Sequence, residues 1–506
     1  MVSVGITEWP PNGLDAIAPD IQSILDIFQA PSLSIGVIYH GQVIRTKGFG
    51  YADVESRRVP DKDTIYTIAS CTKGFTGTAF ALLEQRHKLR LGDPVSKYLT
   101  DFNPVNSPAV GDTMTIKDML SHCSGLSPLP YEVVGKNGSI FAKHEDVIRI
   151  CNRLPRQADF RSEWKYNNWM FALAGLIIAQ ESDRSFGDFV RQEIFDPLNM
   201  KRTSCFNPDG DDKYAKPYLV YTDGNSGSIR SCVRDVLTWT KALMAAWKAT
   251  RPNSSSKEKS RCYLSIPKEL VRAIGTAQIP RFHLASDLKQ SYALGLFTFQ
   301  LPTAEMNTVT NAGVIRTPYM IWENTPPKTV IGHTGELGVA QAITQALFDL
   351  EPKVDFFAVA TEIVENAKAR WDNVIAAWSS NRVPGTVAKN AGVYNGTFQN
   401  EGLAMTLSIT TILDEKAVLP NTQKLRLCIN HCDEQTFDLY HYHHDTWTFL
   451  PGDRDECIRN GYSGYLFDWN AFMIEFNGFK DDHFDSVSWR LDPDIRVYAQ
   501  SFHFQF

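Results

Sequence analysis

A serine three residues ahead of a lysine, Ser70-Cys71-Thr72-Lys73, is the most reactive pairing the chain offers. A serine hydroxyl needs a base before it can attack a carbonyl, and a lysine serves if burial or positive potential destabilises its ammonium. On a helix, residues i and i+3 share a face, so Lys73 Nζ reaches Ser70 Oγ. A helix N-terminus adds positive potential there. S-x-x-K alone is common and usually marks a solvated helix face. Here the neighbours Ile68, Ala69, Phe75, Ala79, Phe80 and Leu82 are apolar, which a surface lysine does not explain.

A second candidate is Tyr166-Asn167-Asn168, directly before the apolar run Trp169 to Ala179. A phenol can relay protons, and a nearby ammonium is expected to lower its pKa. The Asn168 amide can hold Lys73 or a substrate carbonyl. By itself the segment also reads as an aromatic helix cap. The third candidate is Gly332-His333-Thr334-Gly335, followed by Glu336, between strand-like segments. A backbone N–H just after it could complete an oxyanion hole with that of Ser70; the alternative is a buried histidine at a strand end.

The elements that must position these groups follow from periodicity. Helices are predicted over 14–30, 67–89, 115–120, 166–180, 185–195, 231–248 and 367–379, with Thr115 or Asp112 available to cap the third. A hairpin is predicted over 32–44, turning at His40-Gly41, and strands at 292–301, 330–333, 338–348 and 356–361. Strands at both ends of a long helical insertion suggest an antiparallel sheet flanked by helices, an α/β (α+β) design with a helical subdomain over about 80–290. After Pro384-Gly385 the texture changes. Leu403, Met405, Leu407 and Ile409 alternate with small or polar residues, as do Leu425, Leu427 and Ile429. Short alternating strands to the end suggest a small all-β barrel or sandwich, so the division falls into residues 1–384 and 385–506.

Composition excludes other classes. The 506 residues are 43% hydrophobic and 21% charged with a net charge of −6, which fits a globular chain and gives no basic surface for nucleic acid. No apolar run approaches the ~20 residues that cross a bilayer. The start, MVSVGITEWPPNG, does not read as a secretory signal. Together with nine scattered cysteines this leads to an expectation of reduced thiols and a cytoplasmic location. The Cys428/Cys432 pair and His441, His443 and His444 fit no standard metal pattern and read as ordinary strand residues. Walker, dinucleotide-binding and G-x-S-x-G motifs are absent.

S-x-x-K, Y-x-N and H-T-G in this order carry a resemblance to the class C β-lactamase-like, penicillin-binding-protein-type serine hydrolases. That group includes D-peptidases, esterases and acyltransferases. Thr115-Ile116-Lys117-Asp118-Met119-Leu120-Ser121-His122-Cys123-Ser124-Gly125-Leu126 resembles the family's T-I-x-x-L-L-x-H-x-S-G-L. Tyr292-Ala293-Leu294-Gly295-Leu296 resembles its Y-G-L-G-W, and Leu91-Gly92-Asp93-Pro94-Val95 a further stretch. The resemblance spans about residues 20–380. It implies that Ser70 is the acylated nucleophile, that Lys73 and Tyr166 relay protons, and that Asn168, His333, Thr334, Gly335 and Glu336 contact substrate or the oxyanion. Neither metal nor organic cofactor is then needed. His333 stands where β-lactamases carry lysine, and Glu336 adds a carboxylate, a combination poorly suited to acidic substrates. Gly392-Val393-Tyr394-Asn395-Gly396-Thr397-Phe398 is similar to the first strand of the lipocalin-like barrel that follows this domain in some relatives. The expected substrate is a small-molecule or peptide ester, thioester or amide, in secondary metabolism or D-amino-acid peptide cleavage. The competing reading is a non-catalytic assembly or binding protein that kept the fold.

Overall fold

A computed structural model describes residues 13–39, 41–128, 135, 142–206, 211–216, 229–250, 267–277, 282–283, 290–301, 328–332, 342–343, 345–346, 353–413, 423–459, 468–491 and 500–505. The helix Ala18–Phe28 packs its Ile21, Ile24 and Leu25 on the hairpin of β1 (Ser32–Tyr39) and β2 (Gln42–Gly50). A long helix, Phe356–Asn381, closes on the same cluster through Ala360. Its first turn was expected as a separate strand, from its aromatic and β-branched residues. Asp355 overrides that preference: its carboxylate accepts from the N–H groups of Phe357 and Ala358, both at 3.0 Å, and starts a helix.

Two short strands, β3 (Ile65–Thr67) and β4 (Arg230–Cys232), pair antiparallel across a wide sequence separation. Four more, β5 (Phe282–His283), β6 (Gln290–Ala293), β7 (Leu296–Leu301) and β8 (Lys328–Gly332), form an antiparallel sheet in that order. The expected single strand over 292–301 is thus a hairpin, turned by Leu294 (φ 43°) and Gly295 (φ 99°). Of the expected strand 338–348, the described residues 342–343 and 345–346 are helical. Helices dominate the intervening region. Thr72–Gln85, Asn168–Ser182, Val233–Thr250 and Lys268–Ala277 surround a core that includes Phe80, Ile177, Ile178 and Ile274, each fully buried. The expected helix over 185–195 is a short α-helix, Phe186–Val190, continued by a π-helix, Arg191–Phe195.

The long helix ends at Asn381, and β9 (Gly396–Asn400) opens a closed antiparallel barrel. Its other strands are β10 (Met405–Leu413), β11 (Gln423–Ile429), β12 (Thr436–His443), β13 (Thr446–Thr448), β14 (Met473–Lys480), β15 (His483–Trp489) and β16 (Gln500–Phe504). Each pairs with its sequence neighbour, and β16 closes onto β9 through Phe504 and Phe398. The alternation read in the sequence is the inward row. Leu407 faces Ile429, Ile409 faces Leu427, and Leu425 faces Leu439, all buried. Each such side chain contributes about 1.5–3 kcal/mol as an upper figure. The barrel is tied back to the long helix by the Tyr442 hydroxyl, which donates to the Trp378 carbonyl at 2.6 Å.

No helix among the described residues is long and apolar enough to cross a membrane, and no metal-ligating cluster occurs among them. Seven cysteines, including Cys428 and Cys432, are free thiols.

Candidate active site

β3 delivers the chain to the site. The Ile68 N–H donates to the Ile229 carbonyl at 3.0 Å, and the backbone then passes through Ala69 at φ 43°. A non-glycine residue in this left-handed region costs on the order of 1–3 kcal/mol and persists where surrounding contacts enforce it. A 3-10 turn, Ala69–Cys71, leads into the Thr72–Gln85 helix, whose residues from Thr72 to Leu83 are all buried. Ser70 keeps partial solvent access, while Lys73 is 0% exposed. Lys73 Nζ lies 3.0 Å from Ser70 Oγ and 2.8 Å from Asn168 Oδ1.

The β6–β7 turn holds this helix from behind. A Cβ on Gly77 would stand 1.8 Å from the Leu294 carbonyl oxygen, and a Cβ on Gly295 would stand 2.1 Å from that of Lys73. The Tyr292-Ala293-Leu294-Gly295-Leu296 stretch therefore presses backbone against backbone at the lysine itself.

Tyr166 arrives from another direction. Thr115 caps the short helix Ile116–Leu120, with the reciprocal Asp118 bond completing a capping box, and Asp118 also pairs with Arg161 at 2.6 Å. These contacts fix the segment from 118 to 126, which in turn holds the Tyr166 loop. The Tyr166 hydroxyl donates to Ser70 Oγ at 2.7 Å. Asn167 is fully buried: its Oδ1 accepts from the Trp169 N–H at 2.9 Å and its Nδ2 donates to the carbonyls of Leu126 and Ser127 at 2.9 and 3.0 Å. It caps the Asn168–Ser182 helix and so aims Asn168 at Lys73. The helix-cap alternative read for this segment is thus met by Asn167, whereas its bonds to Leu126 and Ser127, some forty residues away, left no mark in the local sequence.

Burial shapes the electrostatics. It lowers the Lys73 ammonium from the ordinary 10.5 to about 7. Among the described residues, Nζ meets the Ser70 and Asn168 oxygens and the faces of Tyr166 and Phe171, at 4.8 and 5.2 Å from the ring centres. Tyr166 departs from expectation. Its phenol was expected to be acidified by the lysine, but desolvation raises it instead, opposed only in part by the Ser70 hydrogen bond. The lysine lies over the ring face, and its charge is itself disfavoured. At neutral pH the site therefore contains a neutral tyrosine donor and a lysine whose uncharged form burial brings within reach.

Trp164, His122, Tyr292 and Phe297 complete the wall behind Tyr166. The Trp164 ring centre lies 5.9 Å from that of Tyr166, 5.8 Å from that of Tyr292 and 5.8 Å from that of Phe297. Neither Trp164 nor the ring of Tyr292 was assigned a role from sequence, since nothing local links them to Ser70. His333, Thr334, Gly335 and Glu336 lie outside the described residues. β8, which ends at Gly332, pairs that residue with Phe297.

A family model described as beta-lactamase matches residues 21–394. The chain belongs to the beta-lactamase family. That family includes serine hydrolases, and this member's helical α/β portion carries the Ser70 site. Among curated relatives, Protein flp of Staphylococcus aureus strain N315 is 30% identical over 228 residues, covering 42% of this chain and 45% of that protein. Protein flp of strain MW2 is 34% identical over 177 residues, 34% of each chain. Unguisins hydrolase ungD' of Aspergillus campestris is 29% identical over 246 residues, 44% of this chain and 46% of the relative. The chain thus spans less than half the length of these relatives.

Proposed function

We propose that this family member is a serine hydrolase or acyltransferase working through a Ser70 acyl-enzyme on an ester, thioester or amide. The observation that carries the reading is the convergence of Lys73 Nζ and the Tyr166 hydroxyl on Ser70 Oγ, at 3.0 and 2.7 Å, with the lysine stripped of water. Neutral Lys73 takes the Ser70 proton as Oγ bonds to the substrate carbonyl carbon, and the carbonyl π pair moves to oxygen. When the intermediate collapses, the bond to the leaving group breaks. The Tyr166 O–H supplies the leaving group's proton, and the proton held on Lys73 replaces it. Water or a second nucleophile then attacks the acyl carbon, giving its proton to the same pair and freeing Ser70. Asn168 Oδ1 holds Nζ throughout.

A hydrolase among the relatives supports the hydrolytic outcome. His333 within the H-T-G segment and Glu336 directly after it argue for a neutral substrate over an acidic one, such as a peptide with D-residues or a secondary metabolite in the cytoplasm. We place the division into two units at 384/385, supported by the helix end at Asn381 and the first barrel strand at Gly396. The up-and-down strand order supports a lipocalin-like second unit. The test is intact-mass analysis after exposure to a fluorophosphonate and to ester, thioester and D-peptide substrates. One adduct, mapping to Ser70 and absent in Ser70→Ala, is expected. Full ester turnover by Ser70→Ala would overturn the reading.

A further inference from the structure

We propose that His122 is a positioning residue for Tyr166, working as a neutral imidazole that clamps the backbone on both sides of the tyrosine; this rests on the Ser70 acyl-enzyme reading. The His122 carbonyl accepts from the Lys165 N–H at 2.9 Å. Its ring Nδ1 accepts from the Asn167 N–H at 3.1 Å. Tyr166 lies between these two anchors, and its ring packs on the imidazole with centres 4.4 Å apart. The same ring reaches Tyr292, with Nε2 3.2 Å from the phenol oxygen. One side chain thus connects the Tyr166 loop to β6, whose turn bears on the Lys73 carbonyl.

The tautomer follows from the partners. A backbone N–H can only donate, so Nδ1 carries the lone pair and Nε2 carries the proton, which it donates to the Tyr292 oxygen. His122 is 0% exposed and has φ 58°, a left-handed conformation unusual for a residue with a side chain. That conformation lets carbonyl and ring face the same stretch of chain. Gln or Lys at this position would not supply an acceptor at Nδ1 distance, and an apolar ring would supply none.

The test separates positioning from mere folding. His122→Phe keeps a buried ring but loses both ring hydrogen bonds. His122→Asn restores an acceptor near Nδ1 with less volume. Each variant is labelled with a fluorophosphonate, and both the final stoichiometry and the labelling rate are measured, followed by kcat and KM on a turned-over ester. Expected in His122→Phe are full labelling, a labelling rate and kcat about 100-fold lower, as for a displaced catalytic group, and KM within about threefold of the parent. His122→Asn should regain about tenfold or more of that rate despite its smaller core. A His122→Phe rate within about twofold of the parent, or an Asn variant no faster than Phe, overturns the clamp. If the parent protein itself fails to label at Ser70, it is the acyl-enzyme reading that falls.

Discussion

Replacing Lys73 by methionine should abolish the proposed turnover and stabilise the protein at the same time. A lysine that titrates at 10.5 in the unfolded chain and near 7 in the folded one burdens the fold. At pH 7 the burden is on the order of 4 kcal/mol, at about 1.4 kcal/mol per pKa unit. The unfolded chain holds the extra proton between pH 7 and 10.5, so Lys73 makes stability climb with pH across that window. Methionine has similar length and no proton to lose. It forfeits the bonds of Nζ to Ser70 and Asn168, roughly 1 kcal/mol each, and leaves a net gain of about 1–3 kcal/mol at pH 7. Thermal melts of the two proteins from pH 6.5 to 10.5, run beside ester turnover, provide the assay. The methionine variant should melt higher near pH 7, lose the advantage as the pH approaches 10.5, and turn over at background. A lower melting temperature at pH 7 would refute the claim that the lysine is held against its own charge, and retained turnover would refute its role as the base.

The kcat/KM of the parent should rise about tenfold per pH unit on the acid side and level off above about 7, as Lys73 loses its proton. It should then stay flat to about 10, because burial holds the Tyr166 phenol above its ordinary value of 10.0. Asn168→Asp sets a carboxylate 2.8 Å from Nζ and should move the acid limb up by about 1–3 pH units in the same profile. Tyr166→Phe keeps the ring and removes the donor to Ser70 Oγ; kcat should fall by about 100- to 1000-fold with the melting temperature little changed. Gly295→Ala combines φ 99° with a Cβ 2.1 Å from a carbonyl oxygen, so urea unfolding should show a loss of about 3 kcal/mol or more.

What could be read in advance was local. Ser70 and Lys73 are three residues apart on one helix, and the Thr115 cap lies three residues from Asp118, so spacing alone brought them together. The barrel was legible because inward and outward residues alternate in stretches such as Met405 to Ile409 and Leu425 to Ile429. The clamp on Tyr166 was not legible: His122 lies 45 residues from Asn167 and 170 from Tyr292, and no local pattern marks those distances. The 292–301 stretch failed for another reason. Its β-rich composition suits a single strand, and only the close approach to Lys73 and Gly77 requires the turn at Leu294-Gly295. Residues 356–361 failed because the Asp355 cap starts a helix despite four strand-favouring residues, Phe356, Phe357, Val359 and Thr361.

The partners of Ser70 and Lys73 on the second loop lie 96 and 95 residues further along the chain. During synthesis Ser70 and Lys73 therefore emerge well before Tyr166 and Asn168 can reach them. Until that long loop closes, the lysine sits in water as an ordinary ammonium and the serine as an ordinary alcohol. The proposed reactivity therefore appears only with tertiary structure. The rate at which refolding protein becomes labelled at Ser70 should then report when that loop has closed.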